Sequence, residues 1–212
     1  MATTSNVQLV ISAKDEASKV LKGVGASLSA VGTIAKVGAA AVGVAGAAIV
    51  AFGISSIKSA NAAEVAMAKF NATLATMGKK GEEAKGKLLE MSAATVQLGF
   101  DDEDTANSLA KFYQATSSLT KAQEYNNLAM DIARKRGVDL ATASRLVSLA
   151  SLGNVKALKA EGIELSKGAT GSKVLAELQK TFAGQAKAFA ETTAGKQEIF
   201  NQKWGNTKEA IG

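Results

Sequence analysis

Four acidic residues stand in a row at Asp101, Asp102, Glu103 and Asp104. Carboxylate oxygens suit hard divalent cations. An EF-hand loop opened at Asp101 requires glycine at position 106 and glutamate at 112, where this sequence carries Ala106 and Phe112. The same run complements the positive end of a helix dipole and reads as a helix start. The segment GATGSK, residues 168–173, has the glycines and lysine of a phosphate loop but not their spacing. That motif needs four residues between its glycines and then Gly-Lys-Ser/Thr. Here two residues separate Gly168 from Gly171, and Ser172 precedes Lys173, so the segment reads as a linker. Arg134, Lys135 and Arg136 form a basic triplet. No aromatic side chain is interleaved for base stacking, and the triplet is expected to close a helix. Glu161 and Glu164 lie one helical turn apart and read as surface charges, while Phe200 and Trp204 read as core or interface.

The chain of 212 residues contains no His, no Cys and no Pro. Without His and Cys it has no zinc site of the usual ligand types and no Ser-His-Asp or Cys-His catalysis. No catalytic, cofactor-binding or metal-binding residue is expected, no cofactor is implied, and the chain reads as structural rather than enzymatic. Hydrophobic residues make up 47% but aromatics only 5%, so alanine and glycine supply much of the apolar count. Such a core is thin, and close helix packing or partner chains must add to its stability. The net charge is +6, which marks a solvated basic surface or an attraction to anionic partners. No specific nucleic-acid partner is expected.

Absent proline favours long helices, and an all-α fold is expected. Val7, Leu9 and Ile11 alternate with polar neighbours and suggest one short N-terminal strand. Asp15 then caps a helix carrying Val20, Leu21, Val24 and Leu28. From position 60 onward, apolar residues recur at helical spacing. Met67, Phe70, Leu74 and Met77 mark a helix that Gly78 stops, and Leu88, Met91 and Thr95 mark another that ends at Gly99. The acidic run opens a helix with Ala106, Leu109, Ala110 and Tyr113 on its inner face. Thr120 and Gln123 have capping-box spacing ahead of Tyr125, Leu128, Ala129 and Ile132, and that helix closes at Gly137. Asp139 caps the next, with Leu140, Ala143, Val147 and Ala150 inward. A short helix stops at Gly162, with Ile163 placed to complete a Schellman ending. Leu175, Leu178, Phe182 and Phe189 outline a helix broken by Gly184, and Phe200, Trp204 and Ile211 outline the last. The expected organisation is a strand and hydrophobic helix over 1–59, a helical domain over 60–165, a linker over 166–172, and C-terminal helices over 173–212, forming a bundle or an extended helical array.

Residues 37–57 are twenty-one uncharged positions between Lys36 and Lys58. At about 1.5 Å per residue they match a bilayer core of about 30 Å. Small residues recur every fourth position, with Ala39, Gly43, Ala47 and Ala51 at the centre of the stripe. Such a stripe lets membrane helices approach closely. Alanine and glycine drive insertion weakly, so two readings stand: a membrane-competent helix, or a soluble helix packed through its small-residue face.

These elements in this order resemble the phage tail tape measure proteins. The opening VQLVISAKDEASKVLKGVGASLSAVG looks like the start of that family, and the hydrophobic stretch after it fits. The central FDDEDTANSLAKFYQATSSLTKAQEYNNLAMDIARKRGVDLATASRLVSLASLGNVKALKAEGIEL is similar to the helical domain that follows, and FAGQAKAFAETTAGKQEIFNQKWGNTKEAIG to its end. The resemblance implies an elongated helical protein inside the tail tube that sets tail length and is expelled at infection. It implies tail tube protein, tail assembly chaperones and tail tip proteins as partners, a homo-oligomer, and contact with the host inner membrane. It also implies assembly in the host cytoplasm and residence in the virion tail. As a single helix, 212 residues would span about 320 Å, so an N-terminal portion of a longer protein, or a short member, is expected. The alternative is a membrane-active pore-forming or holin-like protein, which would use the same stretch but would not need the capped helices after position 60.

Overall fold

In a computed structural model of the chain, the described residues are 44–166, 168–169 and 172–211. Among them every regular element is helical. The elements are α1 (Val44–Ala75), α2 (Lys79–Thr95) with a 3-10 turn (Val96–Leu98), α3 (Asp102–Thr116), α4 (Leu119–Arg136) and α5 (Leu140–Ser151). They continue with α6 (Val155–Ala160), α7 (Ser172–Phe182), α8 (Gln185–Glu191) and α9 (Thr193–Glu209). The expected strand at 7–11 and the helix after Asp15 lie outside the described residues. The chain divides into two compact units between Lys58 and Ser59, and the description below concerns residues 59–211.

Helix starts are set by local side chains. Asp101 accepts the Asp104 N–H at 2.9 Å, Asp139 that of Thr142 at 2.6 Å, and Thr192 that of Gly195 at 3.0 Å. Each satisfies a backbone donor that the first helical turn leaves unpaired. The capping box expected at Thr120 and Gln123 is not used. Helix α4 starts one residue before Thr120, and Ser118 is its cap, accepting the Lys121 N–H at 3.4 Å. Ser-Ser-Leu-Thr offers several hydroxyls, and the one that wins is the one whose backbone is extended, with φ −136° and ψ 118°.

Several helix ends follow glycines, Gly99 after the 3-10 turn and Gly137 after α4 among them. At Gly162 (φ 73°) the Gly162 N–H reaches the Lys159 carbonyl and the Ile163 N–H the Leu158 carbonyl, both at 3.0 Å. Ile163 and Leu158 are both buried beside this turn, so the Schellman ending forms with its apolar contact.

Helix α4 occupies the middle of the unit and touches α2, α3, α5, α7 and α8. Its central place follows from its side chains. Ala122, Ala129 and Ala133 let neighbours approach closely, while Leu128, Met130 and Ile132 fill the remaining space. The inner faces expected for α3 and α5 are buried as read from the sequence. Tyr125 is only partly buried, set edge-on against Phe112 with ring centroids 5.7 Å apart. The helices beyond the 166–172 segment supply Val174, Leu178, Phe182 and Ala186 to the same core.

Phe200 and Trp204 do not join that core. They are 61% and 48% exposed, because α9 turns a different face inward.

Candidate functional site

The inward face of α9 is polar and meets two charged groups, one at each end. At the first, Arg134 leaves the last turn of α4 and is largely buried, with 13% of its side chain exposed. Its guanidinium donates to Glu198 of α9 at 3.1 Å, and to the carbonyls of Leu98 and Gly99 at 3.2 and 2.7 Å. Its central carbon lies 4.1 Å from the Phe100 ring centroid and 4.3 Å from that of Phe189. Two aromatic faces thus sandwich one planar cation, an arrangement open to guanidinium and not to the compact ammonium of lysine. Gly99 is needed here twice. Its φ of 75° favours glycine, and a Cβ would come within 3.1 Å of the Arg134 guanidinium. Gly195 is needed for closeness, since a Cβ there would collide with the Phe189 carbonyl.

The basic triplet is therefore split by the fold. Arg134 is a buried tie, Lys135 is exposed, and Arg136 donates at 2.7 Å to the Glu161 carbonyl at the end of α6. Glu161 also accepts from Arg145 at 2.9 Å, so it is an interhelical partner and not a free surface charge. Glu164 stays exposed.

At the other end of α9, Asn206 donates to Asp102 at 2.8 Å. Asp101, Asp102 and Glu103 present carboxylate oxygens all within 4.8 Å of one another. Burial, with Asp102, Asp101 and Glu209 adding repulsion, pushes the Glu103 carboxyl up to about 8. Glu209 is raised by burial and by Asp101 and Asp102. One oxygen of Asp101 is engaged by the Asp104 N–H and one of Asp102 by Asn206. Residues 102–116 are helix, so they cannot wrap a cation as an EF-hand loop does. The cluster acts as the N-terminal cap of α3 and as the seat for the end of α9, and its charge is relieved by proton uptake.

A groove of about 780 Å³ runs between α1, α3 and α5. Ala62, Val65, Ala66 and Ala72 give it an apolar wall, and Lys69 and Lys111 lie along it. Asn107 ties its sides by donating to the Ala66 carbonyl at 3.0 Å, and Ser108 and Ser144 share a buried 2.8 Å hydrogen bond there.

Of the small-residue stripe, Ala39 and Gly43 lie outside the described residues, and Ala47 and Ala51 lie one turn apart in α1. Among the described residues no helix is long and apolar enough to cross a membrane. In the 168–173 segment, Gly168 has φ 80° and Ser172 already begins α7. Sequence reasoning missed the Arg134 tie and the polar underside of α9. The signal for the latter was present, since Glu198, Gln202, Asn206 and Glu209 recur at helical spacing. Comparison of the chain with protein-family models, with curated proteins and with solved structures finds no match.

Proposed function

We propose that this chain is a structural component of a phage tail, a portion of a tape measure protein that works by extent and packing rather than by bond chemistry. The observation that carries this reading is the succession of short, individually capped helices over residues 100–165. Their breaks fall at Gly137 and Gly162, where the local cap signals of the sequence put them. Alanine supplies part of the contact between the helices: Ala110, Ala122, Ala129, Ala143 and Ala150 are fully buried, beside larger side chains such as Leu109, Phe112, Ile132 and Leu146. Each alanine contact removes little apolar area from water, so separating the helices into an extended array is less costly than for a core of leucine and phenylalanine alone. We further infer that residues 37–57 partition into lipid once freed from the assembly. Gly43→Lys with Ala47→Lys should then abolish uptake of that segment by liposomes.

The test of the measuring role is in-frame deletion of residues 120–137 in the phage that encodes the chain. If the unit opens inside the tube, tails shorten by about 27 Å, at about 1.5 Å per residue. Tails of unchanged length in electron micrographs would reject a measuring role for this region.

A further inference from the structure

Helix α9 is held at two points of opposite kind. Near its start, Glu198 pairs with Arg134, whose guanidinium is fixed between Phe100 and Phe189. Near its end, the helix rests on carboxylates. Asn206 donates to Asp102 at 2.8 Å, and Glu209 faces Asp101 and Asp102, with Lys208 beside it. Glu103 is faced by Asp102 and Asp101 from the head of α3 and by Glu209 from α9. On the same turn Asp104 is faced by Asp101, by Asp139 from the cap of α5, and by Lys69 of α1 and Lys111 of α3. The carboxylate oxygens of Asp101, Asp102 and Glu103 lie within 4.8 Å of one another, and the other helix brings a further acid to them. Carboxylates gathered this closely in a partly buried place resist being ionised together. Core packing does little to hold this end. Gly195, in the first turn, is the buried residue of α9. A Cβ at Gly205 would meet nothing within 4 Å, so that glycine serves no close approach and only loosens the helix.

We propose that this end of α9 is a pH-operated latch: residues 200–209 stay seated on the head of α3 while Glu103 is protonated, leave it when Glu103 ionises, and turn about the Arg134 end as a hinge. In the seated form, burial first and then Asp102, Asp101 and Glu209 raise the Glu103 carboxyl to about 8, against 4.5 for an ordinary glutamate. Departure of α9 takes Glu209 away and opens the cluster to water, so part of that rise is lost on release. The released form therefore holds the proton less tightly than the seated form. The seated form loses ground as pH rises from 4.5 to about 8, and no further beyond. Within that window the ratio of seated to released falls by up to about tenfold per pH unit. The latch does not rest on the tail reading, since the same junction would work in any helical domain.

Trp204 is the sole tryptophan of the chain and lies within the latch. It is 48% exposed when seated. A released segment this short does not keep its helix, and Trp204 then becomes about twice as accessible. Acrylamide quenching of Trp204 and segment-resolved amide exchange, corrected for base catalysis, are followed in the full chain from about pH 6 to about pH 9.5. Quenching should rise about twofold up to about pH 8 and stay level above it. Amides of residues 200–209 should lose protection over the same range while those of α4 keep theirs. Glu103→Gln, which mimics the protonated acid, should leave Trp204 shielded throughout, and Glu209→Gln should lessen the rise. If Glu103→Gln does not fold, Glu209→Gln, at a partly exposed position, decides alone. Four results overturn the proposal: quenching that stays flat in the natural chain, a rise that persists in Glu103→Gln, a rise unchanged in Glu209→Gln, or α4 amides that open together with those of α9. The last would show that the whole unit unfolds and that no separate latch exists.

Discussion

Arg134 and Glu198, 64 residues apart in sequence, meet in a 3.1 Å ion pair that fastens α9 to the end of α4. The pair is unequal. Arg134 is nearly buried between two phenyl rings, whereas Glu198 keeps 39% of its side chain exposed. Removing the cation therefore removes two aromatic contacts and three hydrogen bonds, while neutralising the acid removes one partly screened attraction. Arg134→Ala should cost about 3 kcal/mol in urea unfolding, and Glu198→Gln under about 1 kcal/mol. Arg134→Lys should recover only part of the loss, because an ammonium cannot reproduce the fork. Equal losses from Arg134→Ala and Glu198→Gln would show that the ion pair, and not the sandwich, holds the junction.

The acidic seat of α9 makes stability depend on pH. Glu103 titrates at about 8 in the folded chain, above its ordinary value of 4.5. Between these values the folded state holds a proton that the unfolded state has lost. Stability should therefore fall as pH rises from about 4.5 to about 8 and level off beyond. Glu103→Gln removes this dependence, so its thermal midpoint should gain on that of the natural chain as pH rises through that window. A constant difference between the two across pH 5 to 9 would show that Glu103 carries an ordinary carboxyl.

Ser117 closes α3 with φ 51°, and it is the only non-glycine residue with positive φ among those described. It is exposed, and its N–H donates to the Tyr113 carbonyl at 2.7 Å. A left-handed conformation costs an L-residue about 1–2 kcal/mol relative to glycine, part of which the greater freedom of unfolded glycine offsets. Ser117→Gly should stabilise by about 0.5–1 kcal/mol in chemical denaturation. A loss of stability would mean that unfolded-state entropy dominates at this turn.

Asn126 sits on the central helix with 1% exposure, and its side-chain oxygen has no hydrogen-bond partner. A buried unpaired amide oxygen costs about 1–3 kcal/mol. Asn126→Leu, close in volume, should therefore stabilise by about 1 kcal/mol, read as a higher urea midpoint at unchanged slope. A fall in the midpoint would show that the amide is held by bound water.

Features settled within one helical turn were readable in the sequence. Asp101 and Asp139 cap their helices because a carboxylate three residues before a backbone N–H needs nothing distant to find it. Gly162 and Ile163 form their turn for the same local reason. The choice of Ser118 over Thr120 was not readable, because neighbouring hydroxyls compete and the path of the incoming chain decides between them. Of the two readings of Phe200 and Trp204, core or interface, the structure sets aside the core; spacing marks an apolar face without saying which way it points.

By itself the sequence determined that the described part is helical, where most of its helices start and stop, and which faces of α3 and α5 are inward. Periodicity and caps are properties of adjacent residues, so they survive without knowledge of the fold. Only the tertiary structure decided that Arg134 leaves a solvated helix end to lie between Phe100 and Phe189. It alone decided that Asp102 receives Asn206 from a helix 104 residues away, and that α9 sets Glu198 and Asn206 against the domain while Phe200 and Trp204 stay 61% and 48% exposed. Those outcomes depend on which helices become neighbours. That is a global compromise among close-packing alanine faces, and no window of the sequence contains it.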